Sequence, residues 1–411
     1  MGKLAVDGGA AVWTKGWPKW PVADEREVEA VTRVVRGGNW WHYCLGQAWE
    51  EIGEELPKDW GEVAMFQKRF AALHDCKYGV SCTSGTTALQ IGLRALGVGP
   101  GDEVVVPAYT FIATASAPAL LGAKPVFVDI EAGTCNVDPK RAAEAITAKT
   151  KAIVPVHLGG QPADMDAINE IAKKHGLMVL EDAAQAHGAS YKGRRAGSLA
   201  DAGAFSFQVS KNVSGGEGGI ITTNSQEIAE VCDSLVWVGR KKGDAWYGHR
   251  YLAGNARMTE FQGAILNVQL TRLQEQMARR TENARVLDKT LSEIPGIEPL
   301  IPHPNTAAHA YHLYMFRYRP EAFGGWTKGR FIDTVNAEGI PLMAGYVTPL
   351  YRQPAFAELV PNVEEVAARC PVSEQSCEDA VWIFQSVLLA EREGMEAIAE
   401  AISKVQKAAT T

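Results

Sequence analysis

One lysine, Lys211, stands where an extended, aromatic-rich segment runs into a glycine-rich turn within residues 204–219. Small and hydroxylated residues surround it, as expected at the mouth of an α/β sheet. A lysine amine that is partly desolvated loses its proton readily and attacks an aldehyde carbonyl. We therefore predict that Lys211 forms a Schiff base with an aldehyde cofactor, for which pyridoxal phosphate is the candidate.

Pyridoxal phosphate needs three further protein groups: an acid at the pyridine nitrogen, a backbone cradle for the phosphate and an apolar plate against the ring. Asp182 is the candidate acid, because it closes the apolar run at residues 177–182 and small residues follow it. That pattern indicates a buried parallel strand whose carboxyl end lies in a crevice. A helix N-cap is the alternative role for Asp182.

The candidate phosphate cradle is Ser84-Gly85-Thr86, which follows a short strand at residues 78–82 and opens a segment of helical periodicity. Hydroxyls and bare amides at a helix N-terminus bind phosphate without needing a cation. Taken alone, these residues fit a plain Ser/Thr cap better. Ser206, five residues before Lys211, is a further candidate phosphate ligand.

The candidate ring plate is Phe111, in the segment at residues 106–114. Tyr109 competes for this role, and either aromatic side chain could instead belong to the core.

Short apolar runs alternate with helical stretches around these residues, which is typical of βαβ units and a mostly parallel sheet. We predict strands at residues 103–106, 125–129, 152–156, 178–182, 204–207 and 219–223.

The domain organisation follows from a change of pattern near residue 295. Residues 259–291 are strongly helical and charged, and a strand at 311–318 and helices at 328–338 and 391–408 come after them. We predict a large cofactor-binding domain over 37–258, a linking helix within 259–295 and a small α+β domain over 296–411. Residues 1–36 are expected to pack with the small domain.

Composition favours a soluble enzyme and disfavours several other classes. The chain has 411 residues, 46% hydrophobic and 22% charged content, and a formal charge of −7, which gives no general attraction to nucleic acid. Seven cysteines without paired zinc-type spacing suggest a reducing cytoplasm and no metal site. No basic-then-apolar leader opens the sequence, and no apolar run approaches the ~20 residues of a membrane span.

With these motifs in place, the chain resembles the DegT/DnrJ/StrS-type sugar aminotransferases. The resemblance runs nearly end to end through six segments in the family's order: 84–86, 107–114, 181–188, 206–219, 255–260 and 310–316. It implies the aspartate-aminotransferase fold, with a mostly parallel seven-stranded sheet, and pyridoxal phosphate as cofactor.

The resemblance also implies roles for individual residues. Lys211 matches the lysine that carries the cofactor and moves the proton at the substrate carbon, and Asp182 matches the partner of the pyridinium nitrogen. Gln185 falls near the cofactor's phenolic oxygen, while Gly85, Thr86 and Ser206 fall on phosphate positions. Asn255 matches a residue that reaches the phosphate from the neighbouring subunit, so the resemblance implies a homodimer with shared active sites.

Within the family, the tryptophan-rich N-terminus and the doublet Trp40-Trp41 are similar to the cyclitol aminotransferases and the aminohydroxybenzoate synthases. Candidate substrate residues are His312, Tyr346 and Trp40; His312 could instead stack in a sheet, and Trp40 could anchor the N-terminal segment. Tyr351 is a further hydrogen-bonding candidate. Residues 46–62 look longer than the family norm, so the cover over the substrate is expected to be unusual.

The resulting expectation is an aminotransferase that moves an amino group from Gln or Glu to a ketone on a sugar or cyclitol. A dehydratase of the aminohydroxybenzoate synthase type uses the same lysine, aspartate and cofactor, so it remains an alternative. A cofactor-binding regulator without turnover is a third possibility. It is disfavoured by the low net charge, the intact Lys211 and the lack of a helix-turn-helix extension.

Overall fold

The computed structural model describes residues 3–41, 61–241, 243–245 and 247–411. Its α-helices are α1 Glu25–Gly37, α2 Glu62–Leu73, α3 Gly85–Ala95, α4 Ala113–Leu120, α5 Pro139–Glu144, α6 Met165–His175, α7 Gln226–Val236, α8 Glu260–Leu291, α9 Lys328–Ala337, α10 Val363–Arg369, α11 Pro371–Asp379 and α12 Arg392–Ala409. Its strands are β1 Tyr78–Cys82, β2 Glu103–Pro107, β3 Lys124–Val128, β4 Thr150–Ile153, β5 Met178–Asp182, β6 Ser190–Tyr191, β7 Arg194–Arg195, β8 Ala202–Ser206, β9 Gly219–Thr223, β10 Ile297–Pro299, β11 Thr306–Ala308, β12 Leu313–Tyr318 and β13 Ala380–Phe384.

The central sheet has seven strands in the order β1-β9-β8-β5-β4-β2-β3. The pairs from β8 through β5, β4 and β2 to β3 are parallel, whereas β9 pairs antiparallel with both β1 and β8. Apolar residues from both faces of the sheet are buried against helices, as parallel sheets require. The predicted α/β fold with a mostly parallel seven-stranded sheet is confirmed.

The register between β5 and β8 determines where the candidate catalytic residues meet. Asp182, the last residue of β5, pairs with Ala204 of the parallel strand β8. The carboxyl ends of both strands therefore open on the same edge of the sheet, where ligands bind in open α/β folds. Helix α3 contacts β8, and Ser84 caps its N-terminus by accepting a hydrogen bond from the Thr87 amide.

A second core lies around the antiparallel sheet β10-β12-β13, which α9 and α12 cover. The N-terminal residues Leu4, Trp13 and Trp17 pack into this second core. Helix α1, by contrast, packs along the 32-residue helix α8, which also contacts α2 and α12.

Several predicted boundaries are confirmed and others shift. Strands β1, β5 and β9 begin and end where the sequence predicted, and α8 begins one residue later than expected. The predicted strand at 311–318 begins only at Leu313, because Tyr311 adopts a left-handed backbone with φ of 46°. The three-stranded sheet β11-β6-β7 was not predicted.

The expected cover at residues 46–62 falls almost entirely outside the described residues, and Trp49 and Trp60 with it. Within the described residues, no helix is both long and apolar enough to span a membrane.

Candidate active site

A cavity of about 490 Å³ opens at the carboxyl ends of β5 and β8. Helix α3 contributes its first turn, and residues at β12 and β13 of the second core close the far side. The residues lining it are Ser84, Gly85, Thr86, Leu89, Thr110, Phe111, Ala113, Val156, Asp182, Ala184, Gln185, Ser206, Gln208, Ser210, Lys211, Glu217, His312, Leu313, Tyr346, Trp382 and Phe384.

Lys211 reaches this cavity from the turn after β8, where its backbone N–H donates to the Gln208 carbonyl at 2.9 Å. Burial of the ammonium group lowers the pKa of Lys211 to about 8, although the carboxylate of Asp182 favours the charged form. A lysine with such a pKa supplies a substantial neutral fraction near neutral pH, which a nucleophilic amine requires.

Asp182 is buried beside Lys211, with only 5% of its surface exposed. The Thr114 hydroxyl donates to its Oδ2 at 2.7 Å, and the Ala184 amide donates to its Oδ1 at 3.2 Å. Desolvation raises the pKa of Asp182, whereas the two hydrogen bonds and Lys211 oppose that rise. The residues directly after Asp182 form turns and not an α-helix, so the helix-cap alternative does not describe this residue.

The first turn of α3 faces Ser206 at the end of β8. A Cβ atom at Gly85 would lie 2.5 Å from the Ser206 Cβ, so only glycine fits between the two elements. Thr86 and Ser206 both line the cavity, and the Ser206 Oγ accepts a hydrogen bond from the Gln208 amide at 3.3 Å. Hydroxyls and the exposed helix amides together form a cradle suited to a phosphate.

Gln185 and Tyr346 form a polar pair on the opposite wall. The Gly159 amide donates to the Gln185 Oε1 at 2.6 Å, and both Gln185 and Tyr346 line the cavity. The Tyr346 ring packs edge-on against Trp382 at 4.7 Å, and burial raises the pKa of its phenol. A protonated phenol is thereby held at the cavity wall.

The two aromatic candidates for the ring plate differ sharply in exposure. Phe111 lines the cavity and is 56% exposed, whereas Tyr109 is 1% exposed and packs edge-on against Tyr346 at 5.3 Å. Phe111 is thus the aromatic side chain available to a ring in the cavity, and Tyr109 belongs to the core.

His312 lines the cavity but is only 3% exposed. Its Nδ1 lies 3.1 Å from the Asn212 Oδ1, and the Asn212 Nδ2 donates to the Ala310 carbonyl at 2.7 Å. Burial, followed by the charge of Lys211, holds the pKa of His312 well below its ordinary value. A neutral imidazole, that of His312, therefore lines the same cavity as Lys211.

Three sequence candidates do not line the cavity of their own chain. Trp40 is exposed and packs against Phe261 with ring centroids 5.7 Å apart, so the structure gives it the anchoring position and not a place at the cavity wall. Asn255 is exposed, and its Oδ1 accepts from the Arg257 amide. Tyr351 is buried and donates to Glu374 at 2.8 Å.

Sequence reasoning missed several lining residues. Glu217 lies in the same glycine-rich turn region that drew attention to Lys211, so its position was available from the sequence. Trp382 and Phe384 come from the apolar run of β13. Such a run indicates a buried strand, but nothing in its pattern shows that one face meets a cavity formed by distant residues.

The residues present fit pyridoxal phosphate, since a lysine of lowered pKa and a buried carboxylate share one cavity with a helix N-terminus. The glycine at that N-terminus cannot carry a Cβ without meeting Ser206, which leaves its backbone open to an anion. Lys211 would bond the cofactor, Asp182 would pair with its ring nitrogen, and α3 with Ser206 would hold its phosphate.

A family model matches most of the chain. Residues 24–403 match the DegT/DnrJ/EryC1/StrS aminotransferase family. The chain belongs to that family. It is accordingly an enzyme of the aminotransferase class, and its cofactor is pyridoxal phosphate.

Individual relatives cover almost the whole chain. It is 37% identical over 398 residues to the 3-amino-5-hydroxybenzoate synthase of Amycolatopsis mediterranei, covering 94% of this chain and 96% of that protein. It is 34% identical over 423 residues to the L-glutamine:2-deoxy-scyllo-inosose aminotransferase of Streptoalloteichus tenebrarius, covering 98% and 97%. A crystal structure of 3-amino-5-hydroxybenzoic acid synthase superposes with a TM-score of 0.86 at 36% identity, covering 96% and 99%.

Proposed function

We propose that the protein transfers the amino group of Gln or Glu to a ketone on a cyclitol or sugar ring. The observation that carries this proposal is the shared cavity of Lys211 and Asp182 in a chain of the aminotransferase family. The similarity to an L-glutamine-dependent scyllo-inosose aminotransferase along nearly the full length supports both the donor and the acceptor class.

Some cavity residues bind the cofactor, and Lys211 transfers the proton. When bound, pyridoxal phosphate supplies an electron sink that stabilises negative charge on the substrate carbon. Asp182 keeps a negative charge at the ring nitrogen, and α3 with Ser206 holds the phosphate in place. Lys211, whose pKa of about 8 allows it to accept and return a proton, moves the proton at the substrate carbon.

The cavity walls suit a polyol ring. Trp382, Phe384 and Phe111 provide flat apolar surface for the C–H face of a ring, while Tyr346, Gln208 and His312 offer hydrogen-bonding groups around it. Tyr346 and His312 thus remain the proposed substrate contacts. Trp40 does not line this cavity, and we propose that any contact it makes with the acceptor lies in the cavity of a second chain.

We further propose a homodimer with shared active sites. Asn255 is exposed and does not line the cavity of its own chain, which agrees with a role across a subunit interface. A cytoplasmic location remains our expectation, supported by the six cysteines in the described part of the chain, all of which are free and buried.

Dehydration of an amino-ring substrate is the second candidate, favoured by the similarity to 3-amino-5-hydroxybenzoate synthase in sequence and structure. Both candidate reactions use the same lysine, aspartate and cofactor, so Lys211 and Asp182 fit either one.

Transfer of isotope separates the candidates. The enzyme loaded with pyridoxal phosphate is incubated with glutamine or glutamate carrying ¹⁵N at the α-position and with keto-cyclitols or keto-sugars. The masses of the products are then measured by mass spectrometry. Our proposal predicts ¹⁵N in the ring product and none with Lys211→Ala. Loss of water from an amino-ring substrate, with no ¹⁵N transfer to any ketone, would favour the dehydratase.

A further inference from the structure

Arg280, on α8, is a fully buried cation for which the described residues provide no carboxylate partner. Its Nε donates to the backbone carbonyl of Gln385 at 3.3 Å, and its Nη2 donates to the Gln385 side-chain oxygen. Its Nη1 has no hydrogen-bond partner among the described residues. Burial lowers the pKa of Arg280 to about 9. A buried charge left without a counterion is costly, so its retention calls for a reason.

Gln385 connects this guanidinium to both sides of the cavity. Its side-chain Nε2 donates to the Ser210 carbonyl at 3.4 Å, and its backbone N–H donates to the His312 carbonyl at 3.1 Å. Gln385 is itself only 1% exposed. Gln385 thereby links Arg280 to Ser210, the residue immediately before Lys211, and to His312.

Trp20, from the tryptophan-rich N-terminus, completes the arrangement. Its ring centroid lies 5.5 Å from the Arg280 guanidinium carbon, and its indole Nε1 donates to the Val209 carbonyl at 2.7 Å. The two backbone carbonyls before Lys211 are thus held by different parts of the chain, one by Trp20 and one by Gln385.

We propose that Trp20, Arg280 and Gln385, here called the lysine clamp, position the amine of Lys211 for proton transfer. The proposal rests on the function proposed above for Lys211. The clamp joins the N-terminal segment, the linking helix α8 and the small domain to one turn of the large domain. All three are positioning residues, because none of them lines the cavity.

The turn that carries Lys211 needs such support. Residues 207–211 belong to no helix or strand, and the hydrogen bond from the Lys211 amide to the Gln208 carbonyl is local to the turn. A small misplacement of a proton-transferring group costs a large factor in rate, so rigid external contacts at residues 209 and 210 have a direct catalytic value.

A looser turn would also change the surroundings of the amine. The titratable groups that interact with this amine are Asp182 from β5, His187 after β5 and His312 before β12, and Glu217 and Tyr346 line the same cavity. Because burial lowers the pKa of Lys211, entry of water around a displaced amine would raise that pKa towards its ordinary 10.5.

Two substitutions test the clamp with little change of shape. Trp20→Phe keeps an aromatic ring beside Arg280 but removes the N–H that holds Val209, and the partly exposed site tolerates the loss of volume. Arg280→Lys keeps a basic side chain of similar length but loses the planar fork that donates to Gln385. Arg317→Lys is the matched control, because Arg317 is also buried and pairs with Asp379 but does not line the cavity.

The readouts are kcat and KM of the loaded enzyme and, in the cofactor-free protein, the pH midpoint for acylation of Lys211 measured by mass spectrometry. We expect Trp20→Phe and Arg280→Lys to lower kcat about tenfold or more, with KM within about twofold, since positioning acts on the reacting step. Both should raise the acylation midpoint. Arg317→Lys should leave the midpoint and kcat at parent values.

Two results would overturn the clamp: parent kcat and midpoint in folded Trp20→Phe, or an equal change in Arg317→Lys. If Arg280→Lys does not fold, Trp20→Phe and Gln385→Leu decide the question. Borohydride mapping of the parent enzyme keeps the two proposals apart. Cofactor on another lysine would refute the function of Lys211, whereas cofactor on Lys211 with unaltered clamp variants would refute the clamp alone.

Discussion

Gly85 and Ser206 approach so closely that a single Cβ atom on residue 85 would lie 2.5 Å from the Ser206 Cβ. The pair joins the first turn of α3 to the end of β8, where the phosphate is proposed to bind. The backbone of Gly85 is helical, so the side chain of alanine is excluded here by contact and not by conformation.

Gly85→Ala should therefore weaken cofactor binding about tenfold or more, because the helix N-terminus and Ser206 must move apart and no longer meet the phosphate together. Cofactor titration of the apoprotein, followed by absorbance, measures the effect. Gly99→Ala is the control, since a Cβ there meets nothing within 4 Å. Equal affinities in the two variants would place the phosphate elsewhere.

Asp182→Asn should bind the cofactor but lose roughly a hundredfold or more in each half-reaction. The neutral amide cannot hold a proton on the ring nitrogen, and preorganised electrostatics of this kind contribute about 3 kcal/mol or more to the barrier. Single-turnover spectroscopy with the amino donor measures the loss. Near-parent rates would reduce Asp182 to a structural residue that only accepts hydrogen bonds from Thr114 and Ala184.

The lowered pKa of Lys211 predicts the pH dependence of the cofactor-free protein. Acylation of Lys211 should have its midpoint near pH 8, where half of the folded amine is neutral, and not near 10.5. The unfolded chain binds more protons at this lysine between pH 8 and 10.5, so the penalty that its burial imposes on folding decreases as pH rises through that window. Mass spectrometry of acylated peptides gives the midpoint, and a midpoint near 10.5 would show that the amine is solvated.

Much of the cofactor half of the site could be predicted because its residues lie at the ends of regular elements. Asp182 closes β5 and Gly85 opens α3, and both places are visible in the local pattern of apolar and small residues. Lys211 could be found for a similar reason, since a lysine before a glycine-rich turn is conspicuous.

The substrate half could not be predicted in the same way. Trp382 and Phe384 come from a strand about 170 residues beyond Lys211, and only the packing of the two domains brings them to the cavity. For Trp40 the sequence left a substrate role and an anchoring role open, and only the structure shows that its ring packs on Phe261. The antiparallel strand β9 also depends on tertiary pairing that periodicity does not reveal.

A mixture of two inactive variants tests the proposed shared site. If Asn255 serves the cavity of the partner subunit, Lys211→Ala protomers combined with Asn255→Ala protomers should regain part of the activity, because one site of each hybrid carries neither change. Native mass spectrometry confirms the hybrids. Hybrids without activity above the parents, or an active enzyme that sediments as a monomer, would contradict the shared site.

The most direct test of the account is borohydride reduction of the cofactor-loaded enzyme followed by peptide mapping. We predict that the protein is yellow, that reduction fixes the cofactor on Lys211 alone, and that Lys211→Ala abolishes turnover while some cofactor binding persists through the α3 cradle. Cofactor fixed on a different lysine, or turnover retained by Lys211→Ala, would contradict the central claim that this cavity performs the reaction.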